Sequence, residues 1–157
     1  VSFHAIDFFH TKNMQKGYDA GWLYFYNFEG VEIAHAGMDV IYMDADTAGF
    51  ANFAALDIFC SKTYYHNNKK EVSSFINAVH EAIEYINTNP DEAFSCYYKY
   101  TGEAKSQIMD EILHETSKCF RSGFESDFAK ELPILDFFKQ IGISDLGQED
   151  FKTAFLQ

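Results

Sequence analysis

"GYDAGWLYFYNFEG", residues 17–30, decides how the chain is read. In an extended strand successive side chains point to opposite faces, so Trp22, Tyr24 and Tyr26 share one face and Leu23 and Phe25 the other. A run of this kind, leaving a sheet at its carboxyl end, is where α/β proteins bind ligands. Planar rings on one face suit a flat ring ligand by stacking. Glu29 is then placed to accept hydrogen bonds from an exocyclic amine or ring N–H, and Asn27 to donate or accept. The plainer reading of the same residues is a sheet face packed under a helix, with Glu29 in solvent.

Outward from this stretch, short β-like and helical runs alternate. "VSFHAI" (1–6) reads as a strand. "DFFHTKNMQKG" (7–17) reads as a short helix, with Asp7 a candidate N-cap and Gly17 its stop. "NFEGVEIAHAG" (27–37) fits a helix ending at Gly37, "MDVIYMDA" (38–45) a strand, "TAGFANF" (47–53) a loop and "AALDIFCS" (54–61) a further strand. Alternation of this type is the grammar of an α/β sheet.

From Lys69 onward the pattern is helical. Val72, Phe75, Ile76, Val79, Ile83 and Ile86 recur at steps of three and four and share a face. Asn89-Pro90 ends that helix, and Asp91 and Glu92 favour the start of the next, which Gly102 stops. "EAKSQIMDEILHETSKCF" (103–120) follows, with Ile108, Ile112 and Cys119 in register. Pro133 is expected to break "SDFAKELPILDFFKQIGI" (126–143) in two, and "GQEDFKTAFL" (147–156) closes the chain as a short helix. This is far more helix than so small a sheet can cover. It reads as part of a domain whose other strands come from elsewhere.

Composition narrows the function classes. Hydrophobic residues make up 47% of the 157 residues, ample for a core. The net charge of −12, from 24 acids and 12 bases, argues against nucleic acid and against an anionic membrane surface. Cys60, Cys96 and Cys119 are widely spaced, so a disulfide framework is not expected and buried thiols are. No His or Cys pair has metal-ligand spacing, and neither metal nor cofactor is expected. No nucleophile elbow, phosphate loop or dinucleotide fingerprint occurs, so the chain is read as a non-enzyme. Among the histidines, His10 is the strongest candidate for a site role. Glu111 and Glu115 read as a solvated helix face.

The order of parts resembles a known family. Gly17, Asp19, Ala20, Asn27 and Glu29 in "QKGYDAGWLYFYNFEG" are similar to a segment of periplasmic-type binding proteins for thiamine pyrimidine precursors. That superfamily also holds yeast-type hydroxymethylpyrimidine phosphate synthases and sulfonate and nitrate binders. Gly49 resembles its glycine loop. "NPDEA", Asn89 to Ala93, and Gly142-Ile143 resemble its long-helix turn and its closing helix end. The resemblance implies the C-terminal half of a type II periplasmic-binding-protein-like α/β fold, with ligand in a cleft between two lobes. Residues 1–53 would complete the second lobe. Residues 54–157 would give the return strand and helices of the first, with the N-terminal half, or a second copy, supplying the other wall. Implied with it are an aminopyrimidine ligand and the residues Asp19, Trp22, Tyr24, Tyr26, Asn27 and Glu29 as its site. An ABC transporter permease as partner and an extracytoplasmic location at the membrane follow from the same resemblance. The alternatives are a sensory ligand-binding domain of a signalling protein and a synthase of the yeast type.

Overall fold

The computed structural model describes residues 2, 4–5, 7–50, 57–120 and 128–155. Its regular elements are helical: α1 (His10–Gln15), a π-helical turn (Tyr26–Gly30), α2 (Val31–His35), α3 (Lys62–Asn67), α4 (Lys69–Thr88), α5 (Pro90–Thr101), α6 (Gln107–Ser117), α7 (Phe128–Gln140) and α8 (Gln148–Lys152). No strand occurs among the described residues.

The α/β, periplasmic-binding-protein-like reading is therefore corrected. Alternating apolar residues favour a strand only when a neighbouring strand completes the ladder, and a short apolar run alone does not fix the period. In 17–30 the alternation breaks at Leu23, whose φ of 64° lies in the left-handed region. The chain then coils from Tyr26 into the π turn. Residues 38–44 run without regular structure, leaving Ile41 and Met43 exposed, and residues 45–49 form a turn. Residues 1, 3, 6 and 54–56 of the other two expected strands lie outside the described residues, and their described neighbours form no ladder.

The helical readings fare better. Pro90 occupies the first turn of α5, where its missing N–H costs nothing. Gly102, at φ 74°, ends that helix in the left-handed conformation, its N–H donating to the Tyr98 carbonyl. Ser106 caps α6, its hydroxyl accepting from the Met109 N–H at 3.2 Å. Pro133 does not split the last long helix as expected. It sits inside α7, which continues to Gln140 with Ile134 and Leu135 buried. Burial of that apolar pair offsets the one backbone hydrogen bond that a proline removes.

The chain divides into two compact units. Unit 1 holds Val1–Val40 and Ser74–Ser122, and unit 2 holds Ile41–Ser73 and Gly123–Gln157. In unit 1, α2 packs on the π turn and on α6, and α5 packs on α6. Its buried apolar side chains are Val31, Ile33, Ile83 and Ile112. Cross-links in sequence tie these pieces. Thr11 Oγ1 donates to Glu32 Oε2 at 2.7 Å, Asn27 Nδ2 to Thr116 Oγ1 at 2.9 Å, and His35 Nε2 lies 2.8 Å from Glu111 Oε2. In unit 2, α7 packs on α8, and the rings of Phe128, Phe151 and Phe155 meet one another at 5.8, 5.7 and 5.2 Å.

Candidate functional site: a groove beside the π turn

The π turn closes when the Gly30 N–H donates to the Phe25 carbonyl at 3.1 Å. That carbonyl also accepts from Phe28 at 3.1 Å. The N–H of Phe25 has no place in this ladder. Glu29, only 6% exposed, folds back so that its Oε2 accepts from that N–H at 2.9 Å. A carboxylate at the start of a helical turn satisfies an orphan donor and the local dipole together. The acid that ends the aromatic run thus holds its own turn in shape.

Gly21 sets the course of the chain into that turn. A Cβ at this position would lie 2.2 Å from Cε2 of Tyr24, so only glycine lets the Tyr24 ring fold back across it. The ring then stacks on the His10 imidazole, centroids 4.5 Å apart and planes 33° from parallel. His10 is 4% exposed, and neither ring nitrogen has a hydrogen-bond partner among the described residues. An orphaned buried polar group costs more than an apolar group of the same shape. His10→Phe keeps the ring contact and removes both nitrogens, so it is expected to raise stability in urea by about 1 kcal/mol. A comparable loss instead would show that His10 makes a bond in solution.

Tyr24, Phe25, Tyr26 and Asn27 form one wall of an open groove of about 330 Å³, and Glu115, Lys118 and Cys119 from the end of α6 form the other. The Asn27–Thr116 hydrogen bond fixes the spacing of the two walls. Of the six residues expected at the site, Tyr24, Tyr26 and Asn27 come together here. Asp19, Trp22 and Glu29 are not among the lining residues: Asp19 is exposed, Trp22 is half exposed, and Glu29 is buried as the cap.

The second wall was not legible as a site. Glu115 and Lys118 stand three apart on α6 and form an ion pair, whose hydrogen bond from Lys118 holds the Glu115 carboxyl below its ordinary value. The Glu/Lys spacing was the available signal, but the same spacing marks any solvated helix face. Glu111, its expected companion on that face, is instead tied to His35. The cysteines, expected to be buried, are all exposed, and Cys119 lies just past the end of α6.

A second hollow, of about 360 Å³, lies between α5 and α6. Its polar groups are largely turned on one another: Tyr98 Oη donates to Asp110 Oδ1 at 2.8 Å, and Lys105 Nζ lies 3.8 Å from Asp110 Oδ2. Partial burial, then that hydrogen bond, push the Tyr98 hydroxyl above its ordinary value. No cluster of acids, histidines and cysteines able to hold a metal occurs among the described residues.

No curated protein and no solved structure matches the chain. The sequence model of the NMT1/THI5-like family does match, over residues 1–93, a span that takes in α1, the aromatic run, the π turn with its Glu29 cap and the whole of α4. With more than half of its length under that match, the chain belongs to the NMT1/THI5-like family.

Proposed function

We propose that the groove beside the π turn binds a small flat aminopyrimidine, and that the chain acts as a solute-binding component. The observation that carries this reading is the pairing of an aromatic wall with a charged one. Tyr24, Phe25 and Tyr26 line it with rings, Asn27 with an amide, and Glu115 and Lys118 with an anion and a cation across the gap. The volume lies near the lower end of the usual range for small-molecule sites, about 300–1,000 Å³, which favours a single ring over a fused or nucleotide ligand. Family membership is compatible with a substrate-binding or thiamine-related role.

To the same proposal belong a role without chemistry of its own and delivery of the ligand to an ABC permease on the extracytoplasmic side of a membrane. A further wall for the groove, from a second copy or from chain preceding residue 1, belongs to it too. These parts rest on the resemblance of Gly17, Asp19, Ala20, Asn27 and Glu29 to the binding-protein segment.

Cys119 supplies the test. It lines the groove, whereas Cys60 and Cys96 are exposed and are not among its lining residues. With 4-aminopyrimidine or hydroxymethylpyrimidine at saturation, alkylation of Cys119 by iodoacetamide in the full-length protein should slow by about tenfold or more, as for a site about 90% occupied. Cys60 and Cys96 should react at unchanged rates and serve as internal controls. Equal rates at all three thiols, with and without the pyrimidine, would remove the groove from consideration.

A further inference from the structure

Lys118 stands three residues after Glu115, so the two side chains reach the same side of α6. Both line the groove opposite Tyr24 and Tyr26. Lys118 Nζ donates to Glu115 Oε1, while Glu115 Oε2 takes no hydrogen bond among the described residues. An ammonium has three N–H donors and a carboxylate several acceptor positions, so the pair retains capacity on both partners. An acceptor and a donor therefore stand side by side across from the aromatic wall. The edge of an aminopyrimidine carries the complementary pattern: an exocyclic N–H donor next to a ring-nitrogen acceptor.

We infer that Glu115 and Lys118 are the specificity-determining pair of the groove, Glu115 Oε2 accepting from the exocyclic amine and Lys118 Nζ donating to the adjacent ring nitrogen. This rests on the aminopyrimidine reading above and deepens it. Glu29, the acid the sequence offers for this role, has its Oε2 committed to the Phe25 N–H. Glu115 is ionised at neutral pH like any ordinary glutamate, the Lys118 hydrogen bond lowering its carboxyl further, and an ionised carboxylate is an acceptor only. A pyrimidinone has oxygen in place of the amine. It would set an acceptor against an acceptor, and sites that discriminate by such mismatches do so strongly.

Titration calorimetry on the full-length protein with 4-aminopyrimidine and 4-pyrimidinone tests the pair. The wild-type protein should prefer the amine by about tenfold or more, the effect of one charge-assisted hydrogen bond. Glu115→Gln should lose about tenfold in affinity for the amine and most of that preference, because its amide donates to the pyrimidinone oxygen. Lys118→Met should lose about tenfold in affinity for the amine, whose ring nitrogen accepts from Nζ, and little for the pyrimidinone, whose corresponding nitrogen carries a proton in the lactam form, and it serves as the second test should Glu115→Gln fail to fold. If the wild type binds the amine and both variants keep its affinity and preference, the pair is overturned while the groove reading stands. If the wild type binds neither probe and Cys119 is not shielded, both fall.

Discussion

Ile33→Ala is expected to lower the stability of unit 1 by about 3 kcal/mol, within the usual span of about 2–5 kcal/mol for a buried Ile cut back to Ala. Ile33 is 2% exposed at the centre of α2, a helix of only five residues. So short a helix has almost no stability of its own, because nucleation fixes several residues for each hydrogen bond gained. It persists because Val31 and Ile33 are buried while α2 packs on α6 and on the π turn. The truncation removes apolar contact and leaves a cavity, and the surroundings have little else with which to fill it. Trp22, the single tryptophan, lies in unit 1 and reports its unfolding by fluorescence. A fall of less than about 1 kcal/mol in urea, the range of a mild substitution, would show that Ile33 is not held in a tight core.

Glu29→Ala is expected to cost about 2 kcal/mol, whereas Glu29→Gln should cost much less. Alanine leaves the Phe25 N–H without its acceptor in a partly buried place, and an unsatisfied donor there costs about 1–3 kcal/mol. Glutamine still presents an oxygen to that N–H. The groove wall from Tyr24 to Asn27 depends on this turn, so Glu29→Ala should also weaken pyrimidine binding. Glu29→Gln should bind as the wild type does. A Glu29→Gln protein of normal stability that has lost ligand selectivity would place Glu29 against the ligand instead.

The sequence carried the helical half of the fold because its signals there are local. Asn89-Pro90 and Gly102 act within a turn of the boundaries they mark, and the structure ends or starts helices at each. The aromatic run failed for the opposite reason. Whether Trp22–Tyr26 is a strand depends on a partner elsewhere, and period-2 spacing looks the same with or without one. The left-handed Leu23 was invisible, because a leucine is among the last residues expected at positive φ. At the site, Tyr24, Tyr26 and Asn27 were readable as a local cluster. Glu115, Lys118 and Cys119 were not, because they reach the groove only through the packing of α6 on the π turn, about ninety positions along the chain.

Unit 1 is built from two stretches that are not contiguous, with residues 41–73 assigned elsewhere. Its lateral bonds span very different distances: 21 residues for Thr11–Glu32, but 76 for His35–Glu111 and 89 for Asn27–Thr116. Closing the longest of these loops costs about 1 kcal/mol more in chain entropy than closing the shortest. The expected order of assembly is α4, α5 and α6 first, from neighbouring residues, with the N-terminal arm docking later, which folding kinetics of a protein with the arm removed would check. No single cut in the chain frees unit 1 whole, so removing residues 1–40 strips α6 of the π turn and α2 rather than trimming an end.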